Sequence, residues 1–150
     1  MYEKACCDAQ NLTFRERVTS FLIVQKRRNM APENASVFVA EDDPDWQEFI
    51  SDDLEKGGHS LKRLAQTKED ALASITSFVQ DGIQVAIVDG NLSGDDHSGT
   101  DGREIVEAIR STNPDIKIIG LSTNTVGRAD VSLSKLRYDT GDISKAVNEV

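Results

Sequence analysis

The sequence contains few of the residues that build disulfide frameworks or zinc sites. Its only two cysteines, Cys6 and Cys7, are adjacent, and its only two histidines, His59 and His97, are far apart. Two neighbouring cysteines cannot form a disulfide framework, and a structural zinc site needs four clustered nitrogen or sulfur ligands. We therefore exclude a disulfide-stapled domain and expect no zinc centre.

Long apolar runs are also absent. No stretch approaches the 18 or so apolar residues of a transmembrane helix, which excludes a membrane-spanning class on sequence grounds. The stretch FLIV at 21–24 is too short for the core of a secretory signal, and basic residues follow it. We therefore expect a cytoplasmic protein, whose 150 residues correspond to about one domain.

Basic charge is scarce in most of the chain. Residues 36–150 carry 11 Lys and Arg against 22 Asp and Glu, whereas residues 1–35 carry six against four. An acidic body argues against nucleic acid as a direct partner, because phosphate backbones are bound by lysines and arginines. It suits a protein that binds cations, or one whose surface is simply well solvated.

The segment 1–35 differs from the remainder of the chain, and we treat it as an N-terminal extension to a domain at 36–150. Apolar residues recur in it at roughly helical spacing, at Leu12, Phe14, Val18, Phe21 and Leu22. Two interpretations stay open. The segment is a helix that docks or forms a homodimer, or it is a loosely attached extension.

From residue 36 onward, strand patterns alternate with helical patterns. Strands are predicted at 36–40, 59–66, 83–89, 116–123 and, less strongly, 131–135. Helices are predicted at 45–58, 68–82, 101–114 and 143–150. In the second helix Thr67 is the expected N-cap, and Leu72, Ile75 and Val79 share one face. Buried strands that alternate with amphipathic helices predict an α/β fold with a parallel sheet.

Polar side chains follow the carboxyl ends of four of these strands, at Glu41, Asp42, Asp43, Asp89, Asn91, Ser122 and Lys135. In a parallel sheet the ligand site lies beyond the carboxyl ends of the strands, so we expect these residues to share one rim. Clustered carboxylates repel one another, and a Mg²⁺ ion bound by their oxygens relieves the repulsion. A carboxylate is also a nucleophile toward phosphorus. The pattern predicts that Asp89 is held at its strand end to become an aspartyl phosphate.

The same residues, in the same order, carry a family resemblance. The stretches VFVAEDDP, AIVDGNLSG, GTDGREIVEAI and IIGLST, followed by Lys135, resemble the receiver domain of bacterial two-component response regulators over about residues 36–150. The resemblance implies a flavodoxin-like doubly wound sheet of strand order 2-1-3-4-5. It implies that Asp89 accepts a phosphoryl group from a histidine kinase or a histidine phosphotransfer protein.

The resemblance also implies a role for each remaining residue at the rim. Asp42, Asp89 and the backbone carbonyl of Asn91 correspond to the Mg²⁺ ligands, with Glu41 in the layer behind them or bound through water. Ser122 and Lys135 correspond to the hydroxyl and the lysine that contact the phosphoryl group. Asp43 has no fixed role and is either behind the ligands or exposed.

The sequence departs from the family pattern in its last third. Only twelve residues, TNTVGRADVSLS, separate Ser122 from Lys135, so we expect a loop where receivers have their fourth helix. Ser132 replaces the usual aromatic residue of the fifth strand, and Leu136 replaces the usual proline after the lysine. The loop after Asp89 is long, and its His97 either gates the site or belongs to a polar loop.

Three functions are consistent with these motifs. The first is a stand-alone receiver in a phosphorelay, a phosphoprotein that signals through protein–protein contact and catalyses only its own phosphorylation and dephosphorylation. The second is a receiver-like protein-binding module that works without phosphate. The third, a phosphohydrolase, is disfavoured because Asn91 occupies the position where aspartate phosphatases tend to carry a second acid.

Overall fold

The computed structural model describes residues 33–94 and 98–150, and these form a five-stranded parallel sheet. The strand order is β2-β1-β3-β4-β5, which confirms the predicted doubly wound topology. The strands are β1 Ser36–Ala40, β2 Ser60–Ala65, β3 Val85–Asp89, β4 Lys117–Ser122 and β5 Val131–Ser134. The predicted helix in the N-terminal extension and the candidate gating residue His97 lie outside the described residues.

Helices cover both faces of the sheet, and side chains alternate between the two resulting cores. The helices are α1 Pro44–Lys56, α2 Lys68–Ser74, α3 Phe78–Asp81, α4 Thr100–Thr112 and α5 Asp142–Glu149, with 3₁₀ turns at Ile75–Ser77 and Lys135–Arg137. In β1, Phe38 packs on the side of α2, α3 and α4, whereas Val37 and Val39 pack on the side of α1 and α5. Burial on both faces explains why the central strands are almost wholly apolar.

The helix predicted over 68–82 is interrupted. Of the three residues predicted on its inner face, Leu72 and Ile75 pack on the core, whereas the prediction for Val79 was wrong. Thr67 caps α2 as expected, since its hydroxyl accepts a hydrogen bond from the Asp70 backbone N–H at 3.1 Å. The Ser77 hydroxyl then donates to the backbone carbonyl of Ser74 at 2.9 Å, in the 3₁₀ turn that separates α2 from α3. Hydroxyls that bond nearby carbonyls compete with regular helix. The changed register leaves Val79 83% exposed and buries its neighbour Phe78.

Between β4 and β5 the chain runs as a loop, as the sequence predicted. Residues 123–130, all of them described, contain no helix. Val126 is the apolar anchor of this loop, only 4% exposed, and it lies directly over Gly120 of β4. The loop ends at Asp130, whose carboxylate pairs with the Arg110 guanidinium at 2.7 Å and accepts from the Ile118 backbone N–H at 2.7 Å.

None of the helices within the described ranges has the length and apolar character needed to span a membrane.

Candidate functional site

The carboxyl ends of β1, β3, β4 and β5 meet at one edge of the sheet. They bring Glu41, Asp89, Ser122 and Lys135 to this edge, with Asp42 beside Glu41. Parallel pairing sets this arrangement, because Ala40 lies beside Val88 and Asp89 beside Leu121 across the sheet. Residues that follow these paired positions therefore leave the sheet at the same rim.

Lys135 links the two buried carboxylates of the rim. Its ammonium nitrogen, Nζ, lies 2.9 Å from Glu41 Oε1, 2.8 Å from Glu41 Oε2 and 2.9 Å from Asp89 Oδ2. The side chains are nearly enclosed, with Lys135 12% exposed and Glu41 1% exposed. Because these charged groups are almost shielded from water, removal of one of them leaves the charges of the others uncompensated.

The buried carboxylates resist ionisation. Burial raises the pKa of Glu41 to about 7; Lys135 opposes this increase, and the nearby Asp89 charge reinforces it. Burial also raises the pKa of Asp89, while Lys135 and then the backbone N–H groups of Asn91 and Gly90 oppose the rise. For Lys135 itself, burial acts to lower the pKa, but its contacts with Glu41 and Asp89 outweigh burial and raise it. Positive charge next to Glu41 and Asp89 therefore favours the ionised form of both carboxylates.

The three residues after β1 occupy different environments. Glu41 is buried, Asp42 is exposed, and Asp43 caps α1 by accepting a hydrogen bond from the Asp45 backbone N–H at 2.9 Å. The Asp43 backbone N–H in turn donates to Glu41 Oε1 at 3.2 Å. Two alternatives were open for Asp43, a position behind the ligands or exposure, and the structure shows it exposed. Asp43 caps α1, and its backbone N–H stabilises the Glu41 carboxylate.

The donor set fits a hard divalent cation. Glu41, Asp42 and Asp89 each offer one carboxylate oxygen, and these three atoms lie within 4.8 Å of one another. Because Mg–O distances are about 2.1 Å, oxygens bound to one octahedral ion are about 3 Å apart when adjacent and about 4.2 Å apart when opposite, so the three oxygens would have to draw closer together around the cation. Glu41 Oε2 is buried without hydrogen-bond geometry to any donor among the described residues, although Lys135 is close to it. An oxygen that has this ion pair but no hydrogen bond is a suitable ligand or acceptor for metal-bound water.

Ser122 closes the rim on the β4 side. Its side chain is 3% exposed, and its Oγ accepts a long hydrogen bond of 3.4 Å from the Asn124 backbone N–H. A Cβ atom on Gly90 would come within 2.6 Å of Ser122 Oγ, so the hydroxyl rests directly against the residue that follows Asp89. The glycine at position 90 is what allows Ser122 to approach the β3 strand end.

Asn91 begins the segment that leaves the site. Its side-chain Oδ1 accepts a hydrogen bond from the Gly99 backbone N–H at 2.8 Å, which ties the two ends of the loop together. Farther along, Ser93 donates to Asp101 Oδ2 at 2.6 Å. The side chain of Asn91 is therefore used to shape the loop.

Two features next to the site were not predicted. The indole of Trp46, on the first turn of α1, lies 5.1 Å from Lys135 Nζ in a cation–π contact, and Tyr138 packs edge-on against it at 5.3 Å. Asp101, expected only as a helix-start residue, is 5% exposed and pairs with Lys68 at 3.2 Å. The available sequence signals were the position of Trp46 just after the acidic turn and the Asp-Gly pair that opens α4.

No protein-family model and no curated protein matches this sequence. Solved receiver domains, in contrast, match the structure. The isolated receiver domain of RcsB from Salmonella enterica serovar Typhimurium, with phosphomimetic BeF₃⁻, has 23% identity and a TM-score of 0.60, over 76% of this chain and 86% of that chain. A CheY-like receiver domain from Methanospirillum hungatei JF-1 has 19% identity and a TM-score of 0.62, over 77% and 92%.

A chain of the CheX–CheY–BeF₃⁻–Mg²⁺ complex from Borrelia burgdorferi is similar at 14% identity, with a TM-score of 0.64 over 75% of this chain and 86% of that chain. Similarity at these identities establishes the fold. The chain has the fold of response-regulator receiver domains, which confirms the fold that the sequence motifs predicted.

Proposed function

We propose that this chain is a Mg²⁺-dependent receiver that accepts a phosphoryl group on Asp89 and signals through contact with another protein. One observation carries the proposal. On a receiver fold, three carboxylate oxygens lie within 4.8 Å of one another at the rim, and one of them belongs to the last residue of the central strand β3. A buried ammonium from Lys135 lies 2.9 Å from that residue.

The proposed reaction is a phosphoryl transfer from a phosphohistidine. A carboxylate oxygen of Asp89 forms a bond to phosphorus, the phosphorus–nitrogen bond breaks, and the bonding electron pair stays on the imidazole nitrogen. The product is an acyl phosphate on Asp89. Such a transfer needs chiefly positioning and neutralisation of charge on the phosphoryl oxygens. In this proposal Lys135 neutralises that charge, and Ser122 donates a hydrogen bond.

Asp42, Asp89 and the backbone carbonyl of Asn91 are the proposed Mg²⁺ ligands, with Glu41 behind them or bound through water. When bound, the cation supplies charge neutralisation for the carboxylates and for the phosphoryl oxygens. The demand for positive charge at Glu41 and Asp89 supports this assignment. So does the chemistry of the similar structures, since the Borrelia burgdorferi complex contains BeF₃⁻ and Mg²⁺.

The partners follow from this chemistry. The phosphodonor is a histidine kinase or a histidine phosphotransfer protein, and the downstream partner is a further protein in a phosphorelay. We assign residues 36–150 to the receiver and residues 1–35 to an extension, and we propose the cytoplasm as the compartment. In this assignment the chain is no enzyme apart from its own phosphorylation and dephosphorylation.

A phosphate-independent binding module is the second candidate. It is favoured by the loop at 123–130 and by the exposed side chain of Ser132, because the connection between β4 and β5 has no helix and β5 has no aromatic residue to relay a change at Asp89. The intact acidic rim favours the phosphoacceptor.

Intact mass after incubation with Mg²⁺ and acetyl phosphate separates the two candidates. Wild type should gain the mass of one phosphoryl group, and Asp89→Asn, which keeps the shape of the side chain, should gain none. Asp52→Asn, on the exposed face of α1, is the matched control and should behave as wild type. A wild type that binds Mg²⁺ but is modified neither by acetyl phosphate nor by any phosphorylated histidine phosphotransfer protein would leave the binding module as the function.

A further inference from the structure

The start of α4 is hydrogen-bonded to the segment that follows Asp89. The Gly102 backbone N–H donates to the Gly90 carbonyl at 3.0 Å, and the Gly99 backbone N–H donates to Asn91 Oδ1 at 2.8 Å. A Cβ atom on Gly102 would lie only 2.5 Å from the Asp89 carbonyl oxygen. The helix start therefore presses against the end of β3 with no space between them.

Asp101 lies within this contact and reaches back to the same segment. Its carboxylate accepts a hydrogen bond from Ser93 Oγ at 2.6 Å. On its other side it pairs with Lys68 of α2 at 3.2 Å. One buried carboxylate thus joins α2, α4 and the residues directly after Asn91.

Helix stabilisation alone does not account for this arrangement. An acidic residue in the first turn of a helix is favourable in solvent, where it interacts with the helix dipole and the free N–H groups. Asp101 is instead 5% exposed, and its partners belong to other parts of the chain. A buried carboxylate is costly unless its donors are held close to it, so Asp101 is expected to fix the positions of Ser93 and Lys68.

We propose that Asp101 is a positioning residue, which holds the Asn91–Ser93 segment so that the backbone carbonyl of Asn91 faces the cation site. The inference rests on the proposed function, because it concerns Mg²⁺ bound at the same rim. Lys68 balances the charge of Asp101, and Ser93 is the contact through which the carboxylate fixes the segment. Partners of metal ligands commonly change metal affinity by about tenfold or more when they are removed.

Mg²⁺ affinity, measured by calorimetry on the full chain, tests the proposal directly. Asp101→Asn keeps the size of the side chain and removes its charge, and it should weaken Mg²⁺ binding by about tenfold. Ser93→Ala, a small change at an exposed position, should weaken binding in the same direction by a smaller factor. The double variant should bind no more weakly than Asp101→Asn alone, because the two side chains act through one contact.

Glu104→Gln is the matched control. Glu104 pairs with the same Lys68 at 3.0 Å from the same helix, but it is half exposed and, among the described residues, forms no hydrogen bond or ion pair with the segment after Asp89. It should leave Mg²⁺ affinity unchanged. Hydrogen exchange without Mg²⁺ provides a second measurement, in which the Gly99 amide, bonded to Asn91 Oδ1, should exchange faster in Asp101→Asn and at the wild-type rate in Glu104→Gln.

The outcomes are distinguishable. If wild type binds Mg²⁺ and Asp101→Asn and Ser93→Ala bind it equally well, the positioning role is refuted and the proposed function stands. If Glu104→Gln weakens binding as much as Asp101→Asn, the effect belongs to the charge of α4, and the positioning role is again refuted. If wild type binds no Mg²⁺ at all, the proposed function fails and this inference fails with it.

Discussion

Replacement of Lys135 by methionine tests the charge balance of the rim most directly. The change keeps a long apolar side chain and removes the ammonium that lies within 2.9 Å of both Glu41 and Asp89. Loss of one partner from a buried ion pair typically costs about 3–5 kcal/mol of unfolding free energy, because the remaining charges have no compensation. That figure applies only where both carboxylates are ionised.

The loss should therefore depend on pH. The pKa of folded Glu41 is raised from 4.5 to about 7, so folding favours its protonated form, and stability falls as pH rises between these values. In Lys135→Met the opposing contact is gone, and the pKa should rise further. Stability should then go on falling above pH 7, where wild type has levelled off. We expect a difference of about 1–2 kcal/mol near pH 6 and about 3–5 kcal/mol near pH 8.5.

Mg²⁺ should restore much of the lost stability. A cation at ten times its dissociation constant stabilises by about 1.4 kcal/mol, and at one hundred times by about 2.7 kcal/mol. In the variant no ammonium competes for the Glu41 and Asp89 oxygens, so Mg²⁺ should stabilise it more than it stabilises wild type. The measurement is urea denaturation at both pH values, with and without about 10 mM Mg²⁺.

Lys56→Met is the control for this experiment, because its pair with Asp52 is exposed and 3.9 Å long. It should cost under about 1 kcal/mol at either pH, and Mg²⁺ should stabilise it by as much as it stabilises wild type. A loss in Lys135→Met that is independent of pH, together with no stabilisation by Mg²⁺, would refute the view that this rim is a cation site whose carboxylates are neutralised by Lys135.

Two further changes test how the rim is built. Gly102→Ala should lower the unfolding free energy by about 2 kcal/mol although alanine is the better helix former by about 1 kcal/mol, because its Cβ meets the β3 backbone at 2.5 Å. Gly127→Ala, whose Cβ meets nothing within 4 Å, is the control and should stay within about 0.5 kcal/mol in the same denaturation assay. Val126→Ala should cost about 1–2 kcal/mol, since it empties the space over Gly120. A cost below about 0.5 kcal/mol would mean that the loop is not anchored there.

Short-range sequence patterns predicted the α/β class with a parallel sheet and the membership of the rim, whereas the strand order 2-1-3-4-5 was implied by the family resemblance. Apolar runs identified the five strands, and helical spacing identified the helices between them. Because Asp89 ends one of the apolar runs, it was expected at the carboxyl edge of the sheet. Parallel topology then brings strand ends together without any knowledge of side-chain contacts. The same patterns identified the loop before β5, since twelve residues are too few for a helix and its connections.

What the sequence did not predict depends on contacts between distant segments. Val79 fits the helical pattern as well as Phe78 does, and only the 3₁₀ turn at Ile75–Ser77 decides which of them is buried. The contact of Trp46 with Lys135 requires α1 and the turn after β5 to be adjacent, which no local spacing encodes. Asp101 looks like any acidic residue at a helix start until Lys68 and Ser93 are seen beside it.

The loop at 123–130 shows how a receiver fold is retained without a helix at this place. Val126 and Ala129 cover the Gly120 backbone, and Arg110 closes the far end of the loop through Asp130, so this face of β4 stays protected without a helix. Val126 also approaches within 3.7 Å of a Cβ placed on Gly90, beside Ser122. Under the proposed function, a change at Asp89 that moves Ser122 would therefore act first on Val126 and on the exposed residues around it. Under that proposal, we expect the loop at 123–130, which Val126 anchors, to be the surface that responds to phosphorylation.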